Sequence, residues 1–525
     1  MPSPLRFRIP GLMPTKAVTT ALQERWNVVA EPASAVRRTF LDTADWRLYR
    51  GGWTLEMDQE PSTITTKEVP MALRDSGSEA ILASTSFDGT PRFAGDLPAS
   101  APWSEVAAAV GERRLLCQLE MDSYLRRLSV RNDDGKTTAK VVVEWHRLVG
   151  PAGRQHQLRV ASVTPVRGYE RTTERIGEAL VDAGLQPQER SLLPSALLVL
   201  DRPQPGSKLG PGVELERSMP AAQAVGAILG RLRYHLLANE AGVREQLDIE
   251  FLHEYRVAIR RARSILRTIR GVLPPADAQA LAGELGWLAQ LTGPPRDLDV
   301  HLAELRSANG DLAPLSQYLA DRREAAQDEL VAAMESERYR RLVDSWEALG
   351  RAGADVGAAD SDAPDADRPA GEEADDLIAR AYRRVIRRGR AIEPSTPPEA
   401  LHDLRKRAKE LRYLLECFQT LYPERERTSV IKELKALQDN LGEFQDCQVQ
   451  GEAVRTMAEE LLRSGAPAAT LMAMGRMAET LEERERRARL EFDARFRQFS
   501  KRANRERMAH LVSGNRASGG KNTEP

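Results

Sequence analysis

Apolar positions in the first 200 residues come in short runs. KVVVEW (Lys140–Trp145) and HQLRVASV (His156–Val163) have strand length and composition, with Gly and Pro between them. ERTTERIGEALVDAGL (Glu170–Leu185) carries helical apolar spacing and reaches its end near Gly184. From about Glu214 the helical period takes over, in long segments rich in Ala, Leu, Arg and Glu. The pattern predicts a multidomain chain: a mixed region with strands and helices over 1–200, then an all-α region. DRPQPGSKLGPG (Asp201–Gly212) collects Pro and Gly and reads as a linker within 201–215. The helical region divides into halves at 216–350 and 377–512. Between them GADVGAADSDAPDADRPAGEEADD (Gly353–Asp376) is acidic, poor in large apolar residues and broken by Pro and Gly, which predicts a disordered loop over 351–376. The small, polar tail at 513–525 predicts a frayed end.

The two halves are copies. LHEYRVAIRRARSILRTIRGVLP at 252 matches LHDLRKRAKELRYLLECFQTLYP at 401, a constant offset of 149. Without a gap, Leu252, His253, Arg256, Arg263, Leu266, Pro274, Glu284, Leu285, Leu288, Gly293 and Asp297 meet identical residues. A duplicated helical unit with approximate two-fold symmetry is expected.

In the first copy His253, Arg256, Arg260, Arg263, Arg267 and Arg270 are spaced 3, 4, 3, 4, 3. A helix puts them on one face, roughly 5 Å apart along its axis. Tyr255, Ile259, Ala262, Leu266 and Ile269 keep the same rhythm one residue out of phase and supply the buried stripe. The second copy repeats the basic stripe with His402, Arg405, Lys409 and Arg412. The preceding segment adds Arg380, Arg384 and Arg387, with Arg231 and His235 at the matching offset in the first half, and Lys435 lies further on. Like charges one turn apart repel by a few tenths of a kcal/mol per pair. Either acids on neighbouring helices or a bound anion must offset that.

Charge totals do not choose between these readings, because 76 basic and 77 acidic residues leave a net charge of −1. Distribution carries the signal. Arginine holds phosphate oxygens bidentately and stays charged. Aromatics are 5% of the chain and none interleave the stripes, whereas base stacking needs them, so nucleic acid fits less well than a ligand with phosphates and no bases. The three cysteines are scattered without metal-site spacing, and MPSPLRFRIPGL lacks the apolar core of a signal peptide. A cytoplasmic protein with no membrane span is expected. GNRASGGKN (Gly514–Asn522) lacks the register of a phosphate loop. Asp297 and Asp446, each four residues after a glycine, read as helix caps following a turn.

The paired basic helices and the Gly-x-x-x-Asp endings (Gly293/Asp297 and Gly442/Asp446) resemble the CHAD domain family, over roughly residues 216–510. The resemblance implies a duplicated helical bundle that binds inorganic polyphosphate through basic helix faces, with association with polyphosphate granules. TFLDTADWRLYRGGWTLEM (Thr39–Met57) and VTPVRGYERTTERIGEALVDAGL (Val163–Leu185) resemble a CYTH domain. That implies an antiparallel barrel with helices, which in the family hydrolyses triphosphates with a divalent metal. Here the metal-holding Glu-x-Glu-x-Lys strand is absent, and Arg6 and Arg8 stand where acids are needed. Glu120, Asp122 and Glu144 remain as carboxylates that could serve. The expected function is non-enzymatic polyphosphate binding, with no cofactor. The alternatives are a triphosphatase needing Mg²⁺ or Mn²⁺, and a scaffold whose stripes are internally salt-bridged or bind nucleic acid.

Overall fold

In a computed structural model the chain divides into two units, Met1–Lys208 and Leu209–Pro525. The structure describes residues 4–513 except 12, 61–67, 151–152, 203–212, 306–309 and 356–361. Most of the expected linker, residues 514–525 of the tail expected to fray and the phosphate-loop-like segment lie outside the described residues.

The first unit is one antiparallel sheet with helices packed on it. Its strands are β1 (Leu5–Arg8), β2 (Asn27–Ala30), β3 (Ser34–Asp42), β4 (Trp53–Gln59), β5 (Glu68–Asp75), β6 (Ile81–Asp88), β7 (Leu116–Arg131), β8 (Thr137–Val149), β9 (Gln155–Pro165) and β10 (Gln186–Pro187). They pair in the order β10-β1-β9-β8-β7-β3-β4-β5-β6, with β2 also on β7. The helices are α1 (Lys16–Gln23), α2 (Arg47–Arg50), α3 (Trp103–Val110), α4 (Glu170–Asp182) and α5 (Leu192–Val199). Ala139, Val141 and Val143 alternate along β8 onto one face, where Val18, Leu22, Ile176 and Leu180 of α1 and α4 cover them. The strand–turn–strand motif at Thr39–Met57 is β3, α2 and β4. Its aspartate explains the turn: buried Asp42 accepts from the amides of Thr43, Leu48 and Tyr49 at 2.7, 2.9 and 2.9 Å.

The second unit is all helix: α6 (Ala221–Arg244), α7 (Ile249–Thr268), α8 (Pro275–Leu291), α9 (Gly293–Leu305), α10 (Ala313–Glu335), α11 (Glu337–Asp355), α12 (Ala370–Arg390), α13 (Pro398–Cys417), α14 (Glu424–Arg463), α15 (Ala468–Ser500) and α16 (Arg502–Ser513). The duplication appears in the helix starts. Those of α6, α7 and α8 recur 149 residues on in α12, α13 and α14. The halves meet reciprocally: the Ala221 amide donates to the Arg368 carbonyl and the Ala370 amide to the Met219 carbonyl, both at 2.8 Å. Pro220 and Pro369 form the bridge between them. Equivalent groups thus bond across a local two-fold, as in a symmetric dimer.

Two expectations change. The segment at 353–376 is not a disordered loop where it is described. α11 runs to Asp355 and α12 begins at Ala370. Its acids have fixed partners: Asp375 accepts from Arg217 at 2.6 Å and from the Tyr422 hydroxyl at 2.9 Å, and Arg368 holds Glu373 and Asp376 at 2.6 and 2.9 Å. Low apolar content did not prevent order, because these carboxylates are neutralised in place. Asp297 and Asp446 are not caps either. Asp297 lies inside α9 and Asp446 in the middle of the 40-residue α14. The first copy breaks between α8 and α9 because Pro294 and Pro295 follow Gly293 there, while the second copy has Glu443 and Phe444 and stays helical.

Candidate functional site

α7 begins at Asp248, whose side chain accepts from the amides of Glu250 and Phe251. It ends at Thr268, where Ile269 turns extended and Gly271 takes φ +79°. Arg270 therefore lies just past the helix and not on its stripe. Tyr255, Ile259, Ala262 and Leu266 are buried as their period required, and the arginines line the border of that face.

Across from them stands α13. Between the two helices, with α8 and α12 contributing, is an open groove of about 1090 Å³. Its cations are Arg260, Arg263, Arg267 and Arg270 from the first copy, and Arg384, Lys406, Arg407 and Lys409 from the second. A second hollow of about 760 Å³ continues past Arg263 and Arg267 toward Arg338, which lies over the Trp287 ring at 4.2 Å. Arg261 ties the helices together through Glu416 at 2.6 Å.

The first-copy side is unneutralised. Among the described residues Arg260, Arg263, Arg267 and Arg270 make no salt bridge, and the Nε atoms of Arg260 and Arg263 are buried without a partner. Burial, and then neighbouring Arg267, lower the pKa of Arg263 below the ordinary value. Burial likewise pushes the Lys409 ammonium down to about 8, with Arg405 and Arg260 adding to the shift and Asp446 opposing it. Cations from both copies are close enough to destabilise one another, which a bound polyanion would relieve.

On the second-copy side two of the four lining cations are paired: Arg384 and Arg407 share Glu410 at 2.9 and 3.0 Å. Off the groove lining, Arg412 meets Glu416 at 2.6 Å. Arg388 pairs with Asp403.

The Gly-x-x-x-Asp motif has a role here. A Cβ on Gly293 would sit 3.4 Å from the Arg256 guanidinium, and one on Gly442 would sit 3.6 Å from that of Arg405. The aspartate one turn later faces the same arginine: Asp446 accepts from Arg405 at 3.1 Å, and Asp297 acts electrostatically on Arg256. Arg256 also donates to Thr292 Oγ1 at 3.2 Å, and Arg405 to Gln445 Oε1 at 2.7 Å. These two arginines pin each basic helix to its neighbour.

The other expected site residues scatter. Arg231, His235 and Lys435 do not line the groove; Arg231 lies over the Tyr234 ring at 5.0 Å, and the ring of His235 meets Tyr234 edge-on. Arg380 is held by Glu373 at 3.5 Å, and Arg387 lines a different hollow. His253 is half-buried, outside the groove lining. His402 packs against Phe444 with its Nε2 buried and unpartnered. Lys406 and Arg407 were missed because they fall off the 3–4 stripe, although they sit beside Arg405 in sequence.

The carboxylates of the sheet unit do not suit the divalent metal that its resemblance implies. Arg6 is spent on Glu79 at 3.0 Å. Asp122 pairs with Arg147 and Arg37, Glu120 lies 3.9 Å from Arg37, and the three carboxylates that do converge meet on a guanidinium: Arg38 lies 2.8, 3.3 and 3.8 Å from Asp58, Glu144 and Glu56. Glu56 also holds Arg74 at 2.8 Å. Among the described residues no group of His, Cys, Asp and Glu is arranged to hold a metal ion. The donor set does not fit one.

No described helix is long and apolar enough to cross a membrane. Residues 227–455 match the model of the CHAD domain family. An uncharacterized Mycobacterium tuberculosis protein, MT2285, is 26% identical over 322 residues, covering 58% of each chain, so the match spans little more than half of that curated relative's length. The crystal structure of a CHAD domain from the plant Ricinus communis is similar at 25% identity and a TM-score of 0.43, over 57% of this chain and 95% of that one. A Hippeastrum protein reported to have a dominant triphosphatase activity is similar at 14% identity and a TM-score of 0.27, over 39% of this chain and 98% of that one. The segment that matches the CHAD model contains both basic helices and every residue lining the groove between them.

Proposed function

We propose that the helical unit binds inorganic polyphosphate in the groove between α7 and α13, without catalysis. The observation that carries this reading is the row Arg260, Arg263 and Arg267 of α7, with Arg270 just beyond its end; none of the four makes a salt bridge among the described residues, and they face Lys406 and Lys409 across open space. Guanidinium groups at helical repeat match a chain of phosphates, each of which accepts paired hydrogen bonds. A single aromatic, Tyr413, lines the groove, which suits a ligand without bases to stack. Binding releases counterions from the polyanion, so affinity falls steeply with salt.

The test is titration of long-chain polyphosphate against the full chain over a salt series, with single-stranded DNA as competitor. Tight, salt-sensitive binding that DNA does not displace is expected; equal preference for DNA, or no binding, sinks the reading. The absence of catalysis is checked separately, by phosphate release from tripolyphosphate with Mg²⁺ or Mn²⁺. None is expected, since the converging carboxylates of the sheet unit already neutralise Arg38 and Arg74.

A further inference from the structure

On the α12 surface beside α16 is a further basic hollow of about 650 Å³. Arg383, Arg387 and Arg390 stand at i, i+4 and i+7 of α12, and Arg505 of α16 completes the cluster. Among the described residues none of the four makes a salt bridge, unlike Arg384 and Arg388 on the same helix. The floor is Tyr382, only 8% exposed, whose hydroxyl is buried with no hydrogen-bond partner. A buried hydroxyl is ordinarily satisfied, so an orphan one beneath four cations asks for an acceptor.

The hollow is built by specific packing. Gly389 has no side chain because the Phe496 ring lies against it, and a Cβ there would fall 2.0 Å from the ring. The close approach seats the end of α15 on α12. Asn504 then fixes the turn into α16 by donating to the Gln498 and Phe499 carbonyls at 2.9 and 3.2 Å, which places Arg505 over α12. Arg505 lies outside the family-matched segment, which ends at 455.

We propose that this hollow is a separate site for a terminal phosphate group, with the Tyr382 hydroxyl donating to one phosphate oxygen and the four arginines holding the others. Burial pushes the Tyr382 phenol up to about 12, against the pull of Arg505 and Arg390, so it keeps its proton to donate. Four arginines, three within two turns of α12 and one from α16, make a shorter charged run than the eight cations of the groove, which suits a phosphate end more than the middle of a long chain. That phosphate is either free pyrophosphate or the end of a polyphosphate chain.

The test is calorimetric titration of the full chain with pyrophosphate, using three variants. R263E/R267E disables the groove and leaves this hollow intact. R387E/R505E reverses two exposed charges of the hollow, and Y382F removes only the hydroxyl. We expect pyrophosphate binding to persist in R263E/R267E and to weaken more than about tenfold in R387E/R505E. In Y382F it should weaken about tenfold, the worth of one hydrogen bond to a charged group. No pyrophosphate binding by R263E/R267E, or unchanged binding in both R387E/R505E and Y382F, overturns the proposal and leaves the groove reading untouched. In the R263E/R267E background, medium-length polyphosphate binding as tightly as pyrophosphate assigns the site to chain ends, and a preference for pyrophosphate assigns it to the free ion.

Discussion

The two copies of the basic helix share sequence landmarks and differ in electrostatic state. Among the described residues Arg260, Arg263 and Arg267 of α7 make no salt bridge, whereas α13 carries its own acids: Asp403, Glu410 and Glu416 engage Arg388, Arg407, Arg384 and Arg412. Duplication therefore conserved a scaffold and divided the labour. The first copy supplies free charge. The second supplies part of the charge and the ties that hold the groove together, including Arg261–Glu416. A basic stripe is a binding surface only where its counter-ions are missing.

The sharpest way to break this comparison is charge reversal on each side. R260E/R263E/R267E should lower polyphosphate affinity by about a hundredfold or more, while R407E/R412E, which also strands Glu410 and Glu416, should cost distinctly less. Fluorescence anisotropy at fixed salt measures both, and equal losses would end the distinction. On the α7 side the slope of log affinity against log salt should also shrink by about one for each neutralised phosphate contact. The comparison sharpens in the other direction with E410Q, which frees Arg384 and Arg407. It should raise affinity severalfold, and a decrease would mean that Glu410 positions its arginines productively.

A smaller effect comes from pH. With its pKa pushed down to about 8, Lys409 loses its proton as pH rises from 7 to 9, so polyphosphate affinity should fall across that interval. K409R, charged throughout, should flatten the profile. Smallest for binding is R405A. Losing the contacts to Gln445 and Asp446 should lower stability by about 1–3 kcal/mol, seen as a reduced Tm, with little change in affinity.

Much of this was legible in sequence. The offset of 149, the all-helical second half and the coincidence of basic and apolar stripes on α7 follow from helical periodicity, which one sequence displays fully. The neutralisation of α13 was partly visible too, because Arg412–Glu416 and Arg407–Glu410 sit at helix-neighbour spacing. Other features depend on contacts that periodicity does not encode. Gly-x-x-x-Asp looks like a turn and cap, and its real use, giving an arginine from another helix room and a partner, needs the packing of α7 on α9 or α13 on α14. Arg384 and Arg387 look like one run, yet Arg384 lines the groove and Arg387 the hollow beside α16, where Arg505 docks from far along the chain. Acidic composition suggested disorder over 351–376, yet Glu373 and Asp375 are buried near the start of α12 and held by Arg368 and Arg217.

The reciprocal bonds at Ala221 and Ala370 also govern when this protein can acquire its shape. As the chain leaves the ribosome, α6 and α7 emerge before α12 and α13, and the Ala221 amide can bond only to water until Arg368 has been made. A nascent first half is then an incomplete core bearing an unanswered arginine row. Domains generally fold as units during synthesis. Here the two copies belong to one compact unit, so its core is complete only when both have been made.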